Sequence, residues 1–173
     1  MKKTVLALPV LLCLCGFTDP AGKYSIEFPE DWGEPFASGN AFQAQSPGDG
    51  NVHRGWCRVN SNALDSLKDA KQADLNAEFA EPITLDVWSG MLSLDQSKLA
   101  LADSEAKVVE GTIVQGVTLT LAPGLAGEGE VKARINSWIL PGRVLNAACF
   151  ANSEDFSDFE PQFREIVASV RPR

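Results

Sequence analysis

Histidine is nearly absent from this chain, and that absence removes several chemistries at once. The only one, His53, cannot build a zinc site that needs several imidazoles. A Ser/His/acid triad would have to use it, and no G-x-S-x-G elbow is present to offer a nucleophile. Basic clusters are missing as well. Asp+Glu number 23 against 15 Lys+Arg, for a formal net charge of -8 over 173 residues. Nucleic acid and anionic membrane surfaces are therefore poor partners. Past the N-terminus no apolar run approaches the roughly 20 residues of a membrane span. No C-x-x-C pair, internal repeat or low-complexity tract occurs.

What is present at the N-terminus has a secretory design. Lys2 and Lys3 precede an apolar run over 4–14, broken only by Pro9. That is an h-region length, roughly 7–15 residues, and too short to span a bilayer. The turn-like Gly16-Phe17-Thr18-Asp19-Pro20 ends it. The expected organisation is a signal peptide over 1–16, a short linker over 17–22 and one domain over 23–173. Cleavage near Cys15 or Gly16 gives a periplasmic or secreted protein. The alternative is a lipid-anchored envelope protein with Cys15 acylated and Gly16 following it. Against that, Leu14 is large where a lipobox takes a small residue. Membrane attachment is expected only if Cys15 carries lipid. About 155 mature residues suffice for one domain with its own core.

The four cysteines divide between leader and domain. Cys13 and Cys15 lie in the leader, while Cys57 and Cys149 fall in segments that read as strands. In an oxidising compartment the second pair reads as a disulfide. Closing so long a loop stabilises by about 4 kcal/mol in the chain-entropy model.

Alternation predicts strands over 23–28, 41–46 and 52–60, the last two forming a hairpin around Pro47-Gly48-Asp49-Gly50. Residues 61–80 read as one broken or two short helices, stopped at Glu81-Pro82. No element is assigned to 83–104. Residues 106–121 read as a long β segment, with Gly111 and Gly116 as bend or bulge positions. Strands over 131–140 and 144–152 flank a Pro141-Gly142 turn. A closing helix over 157–170 has capping-box spacing at Ser157 and Glu160, with Pro161 in its first turn. The order defines an α+β fold: a mainly antiparallel sheet flanked by helices.

The string Tyr24-Ser25-Ile26-Glu27-Phe28-Pro29-Glu30-Asp31-Trp32 resembles the opening of PsbP-like domains, and Phe163–Val170 resembles their closing helix. That family includes the extrinsic photosystem subunit, the Ran-binding Mog protein and many exported or lipid-anchored bacterial proteins. The resemblance spans roughly residues 22–173. It implies an α/β/α sandwich and a non-enzymatic role in binding or assembly; no cofactor is expected. No partner and no functional residue carries over, because the photosystem member's basic and metal-related features have no matching motif here.

The remaining candidates come from the residues. Trp56 with Arg54 and Arg58 shares one face of its strand by the period of two, and Trp138 lies opposite Val131, Ala133 and Ile135. Aromatic residues beside arginines suit an interface. Ser104 and Lys107 match S-x-x-K but lack the companion motifs. The acids Glu154, Asp155, Asp158 and Glu160 lack an EF-hand spacing and sit where a helix N-terminus favours them. The expectation is an exported, non-enzymatic binding or assembly-accessory domain whose partner is another exported or envelope protein. The alternatives are a small secreted hydrolase using His53 or the Ser104–Lys107 pair, and a small-ligand or chaperone-type carrier with a groove between sheet and helix.

Overall fold

The computed structural model describes residues 14–49, 52–126 and 128–173. The leader's Lys2, Lys3 and Cys13 therefore lie outside the described residues. The strands are β1 (Leu14–Thr18), β2 (Tyr24–Pro29), β3 (Phe36–Ser38), β4 (Ala41–Gln45), β5 (Gly48–Asp49), β6 (Val52–His53) and β7 (Gly55–Ala63). Helices α1 (Gln72–Glu78) and α2 (Leu85–Leu92) follow, then β8 (Leu99–Val109), β9 (Thr112–Leu121), β10 (Val131–Leu140), β11 (Arg143–Asn152), α3 (Phe156–Ala168) and β12 (Arg171–Pro172).

Seven strands form an antiparallel sheet in the order β3-β4-β7-β11-β10-β9-β8. A smaller sheet has the order β1-β2-β12, and β5-β6 extends the β4–β7 hairpin. The two faces of the large sheet bury different clusters. On one, Cys57, Val59, Leu145, Ala147, Cys149 and Trp138 pack against Phe163, Ile166 and Val167 of α3 and against Ile26 and Phe28 of β2. On the other, Val117, Leu119, Ala133 and Ile135 pack under Trp88 of α2. Leu75 of α1 joins Ile113 and Ile139 on that same face. The strict alternation along β10 produces this division, since odd and even positions point to opposite faces. The α+β class and the sandwich of helices about an antiparallel sheet are thus present.

Several local expectations are corrected. Residues 61–63 continue β7, because the ladder to β11 runs as far as Ala63 opposite Arg143. Only a 3-10 turn at Asp65–Leu67 and α1 make up the expected helical region. The segment 106–121 is a hairpin that begins in the unassigned stretch, with β8 starting at Leu99. Glu110 at φ 50 and Gly111 at φ 82 form its two-residue turn, where both central residues need positive φ. The bulge falls between Leu101 and Asp103 rather than at a glycine.

At the C-terminus, α3 starts at Phe156 with Asp155 as its cap residue and without a side-chain cap. Ser157 is then inside the helix, so the capping box does not form. Pro161 is the sixth helical residue, beyond the first turn. Its missing N–H leaves one i to i−4 bond unmade.

The expected linker over 17–22 is also replaced. Residues 14–18 pair with β2 from Leu14 opposite Pro29 to Thr18 opposite Ser25. Phe17 packs on Phe42 with ring centroids 5.0 Å apart. Asp19 then closes the turn: its side chain accepts from the Lys23 N–H, and its carbonyl accepts from the Gly22 N–H.

Candidate functional site

Cys57 and Cys149 are bonded, on directly opposed rungs of β7 and β11. Both are buried. Cys15 is a free, exposed cysteine in β1. His53 lies in β6 opposite Gly48, and its side chain is outside the described residues. Ser104 and Lys107 both lie in β8, three residues apart, so they leave the strand on opposite faces. The acids near α3 are tied to arginines. Asp155 and Asp158 pair with Arg54, and Glu160 pairs with Arg164 at 2.6 Å. Among the described residues no group of three or more His, Cys, Asp or Glu side chains is placed to hold a metal ion. No helix among them is long and apolar enough to cross a membrane.

The four interface candidates separate. Arg54 does not share a face with Trp56 and Arg58. It precedes the first rung of β7, where the period of two does not yet hold. Its guanidinium bonds to Asp155 and lies 5.8 Å from the centroid of the Phe159 ring. This bond holds the Asp155 carboxyl below its ordinary range. Trp138 is 3% exposed and belongs to the core under α3, so it is not the exposed interface aromatic expected; it reaches the surface only as part of a cleft wall. The helix covers the face that the strand pattern left open.

Trp56 and Arg58 do come together, on the α2 side of the sheet. The Trp56 ring stacks on Phe150 at 5.5 Å between centroids. The pair opens into a groove of about 340 Å³ lined also by Gln43, Leu92, Leu94, Leu121 and Leu125. Arg58 stands at this groove and donates to Asn40 Oδ1 at 3.2 Å. Among the described residues, no carboxylate lies within ion-pair distance of it.

A second cleft, of about 330 Å³, lies between α3 and the β8–β9–β10 end of the sheet. Its polar end holds Glu105, Lys107, Arg134, Asn136 and Arg164; its apolar end holds Val109, Val114, Trp138, Val167 and Val170. The Arg134 side chain is only 4% exposed. It donates to Asp103 and Thr118 at 3.2 and 3.3 Å and pairs with Glu105. Gly116 makes this possible: a Cβ there would stand 2.8 Å from Glu105 Cγ and 3.1 Å from an Arg134 nitrogen. Donation of two hydrogen bonds to the Glu160 carboxylate holds the Arg164 guanidinium protonated beyond its ordinary range.

Two buried atoms in this cleft wall, Arg134 Nε and Asn136 Oδ1, have no hydrogen-bond partner among the described residues. Each such orphan costs about 1–3 kcal/mol. Sequence reading passed over Arg134, Asn136 and Glu105. The available signal was a cation and an amide on one face of a strand otherwise buried on both sides.

No family model and no curated protein matches the sequence. Solved structures do match in shape. The cyanobacterial PsbP (CyanoP) of Synechocystis sp. PCC 6803 superposes with a TM-score of 0.60 at 12% identity, covering 100% of this chain and 98% of that one. LpqN of Mycobacterium tuberculosis, described as involved in cell envelope biogenesis, gives 0.54 at 11% identity, over 92% and 90%. The Ran-binding protein Mog1p of Saccharomyces cerevisiae gives 0.53 at 9% identity, over 93% and 96%. The fold is therefore PsbP-like, the α/β/α sandwich that the end motifs implied.

Proposed function

We propose that this chain is an exported, disulfide-bonded, non-catalytic binding domain, and that it docks a protein of the cell envelope on the Trp56–Arg58 groove. The observation that carries the reading is the groove itself. An open, mainly apolar surface, floored by stacked Trp56 and Phe150, has beside it a guanidinium with no carboxylate within ion-pair distance among the described residues. A partner that inserts an apolar side chain and brings an acidic group to Arg58 satisfies both features. The neighbours in shape support a binding role: one is named for binding Ran, and another for envelope biogenesis. The leader pattern and the disulfide support export.

The hydrolase alternative draws no support from Ser104 and Lys107, which leave β8 on opposite faces. Photo-crosslinking in the exporting cell tests the docking surface, with a crosslinker at position 58 and a control at Glu165 on the exposed side of α3. The expected result is a discrete adduct with one envelope protein from position 58 alone. That purified partner should bind the chain directly and lose affinity on Arg58→Glu. Equal adducts from both positions, or none from 58, would overturn the reading.

A further inference from the structure

The cleft beside α3 is independent of the Trp56–Arg58 groove, since the two lie on opposite faces of the large sheet. Its charges balance. Arg134, Arg164 and Lys107 face Asp103, Glu105 and Glu160, and every cation already has a carboxylate within 4 Å. An added anion would have to compete with Asp103 and Glu105 for Arg134, so charge alone recruits nothing. What remains unmet is one donor, Arg134 Nε–H, and one acceptor, Asn136 Oδ1, two residues apart on the same face of β10. The floor beside them is aliphatic and aromatic: Val109, Val114, Trp138, Val167 and Val170.

We propose that this cleft binds an uncharged amide with an apolar substituent, the chemistry of an N-acyl group or of an apolar peptide segment. An amide carries an acceptor and a donor side by side in one planar neutral group, which is the complement of the two orphans. Its alkyl part lies over Trp138 and the valines. The orphans are closed to solvent at rest. Arg164 and Lys107 line the cleft and are each about half exposed, so they have the freedom to shift and admit a ligand. Gly116 belongs to the same design, because any side chain there would fill the space occupied by the Glu105–Arg134 pair.

The experiment is a titration of the isotopically labelled, oxidised chain followed by amide, indole and arginine Nε correlations. The probes are N-acetylleucinamide, 4-methylpentanoate (a carboxylate with the same alkyl group) and methyl glucoside. The acetylated amide should give saturable shifts at Gly116, the Trp138 indole and Arg134 Nε. The carboxylate should bind about tenfold or more weakly, the cost of meeting a neutral site with a charge.

Two variants separate the site from the fold. Asn136→Leu removes an orphan acceptor, so it should leave the chain folded and weaken the amide by about tenfold. Ala168→Trp, on the exposed surface at the cleft mouth, should abolish binding without touching the core. Absence of saturable shifts would overturn the proposal. So would equal or tighter binding of the carboxylate, preference for the glucoside, or unchanged binding in Ala168→Trp.

Discussion

At the scale of single residues, Arg54 shows how one pairing can set a titration. Its hydrogen bond to Asp155 depresses that carboxyl below its unfolded value. A depressed carboxylate contributes stability above the unfolded pKa and loses it as pH falls through the folded one. In Arg54→Ala the Asp155 titration, followed by carbonyl NMR shifts, should move up toward the ordinary carboxylate range. An unmoved titration would show that the bond seen here is not formed in solution. Gly116 gives a second residue-scale prediction. Gly116→Ala forces a methyl into the Glu105–Arg134 pair and should destabilise by about 1–3 kcal/mol, read from a urea midpoint. Gly111→Ala, in open space but at φ 82, should cost less, through backbone conformation alone.

The elements differ in how plainly they were written in the chain. β10, β11 and α3 carry regular apolar periods, because each is pressed on the core along its whole length. β8 carries none. It is one of the two edge strands of the large sheet and mostly exposed, so Ala100, Asp103 and Lys107 can be polar or small without cost. The end of β7 was hidden for another reason: Ser61, Asn62 and Ala63 have no strand preference, and the partner β11 holds them extended. That Trp56 and Arg58 share one face was legible because both lie within a regular ladder. Arg54 was misplaced because it sits one residue ahead of that ladder. A groove between sheet and helix was among the alternatives, but its polar lining was missed because those groups come from β8, β10 and α3, far apart in sequence.

β1 supports a prediction at this scale. A chain beginning at Tyr24 lacks the strand that covers one edge of β2, as well as the Phe17–Phe42 contact. Hydrogen exchange at Ile26 and Phe28 should then be faster than in a chain beginning at Leu14. Equal protection would mean that β2 is held by α3 and β12 alone.

For the whole molecule, compartment and covalent state are one question. Under the export proposed above, the mature protein should start near residue 16 and gain about two hydrogens on reduction, as read by intact mass. An acyl-glyceryl increment on Cys15 would place the domain on a membrane, with β1 beginning at the anchored residue and no tether between them. Replacing Cys57 and Cys149 by alanine should lower unfolding free energy by about 2–4 kcal/mol, while near-ultraviolet dichroism still reports a packed core. Loss of the fold would instead show that the ladder between β7 and β11 does not stand without the bond.

The place of that bond has a further result. The large sheet is two ribbons laid side by side: β3, β4 and β7 from the first part of the chain, and β8 to β11 from the second. They meet at β7 and β11, where the sulfurs join them. The segment between Ala63 and Leu99, which carries α1 and α2, is therefore not the sole covalent link between the ribbons. A protease that cuts there would release nothing. The two pieces would run as one band on a gel without reductant and as two bands with it.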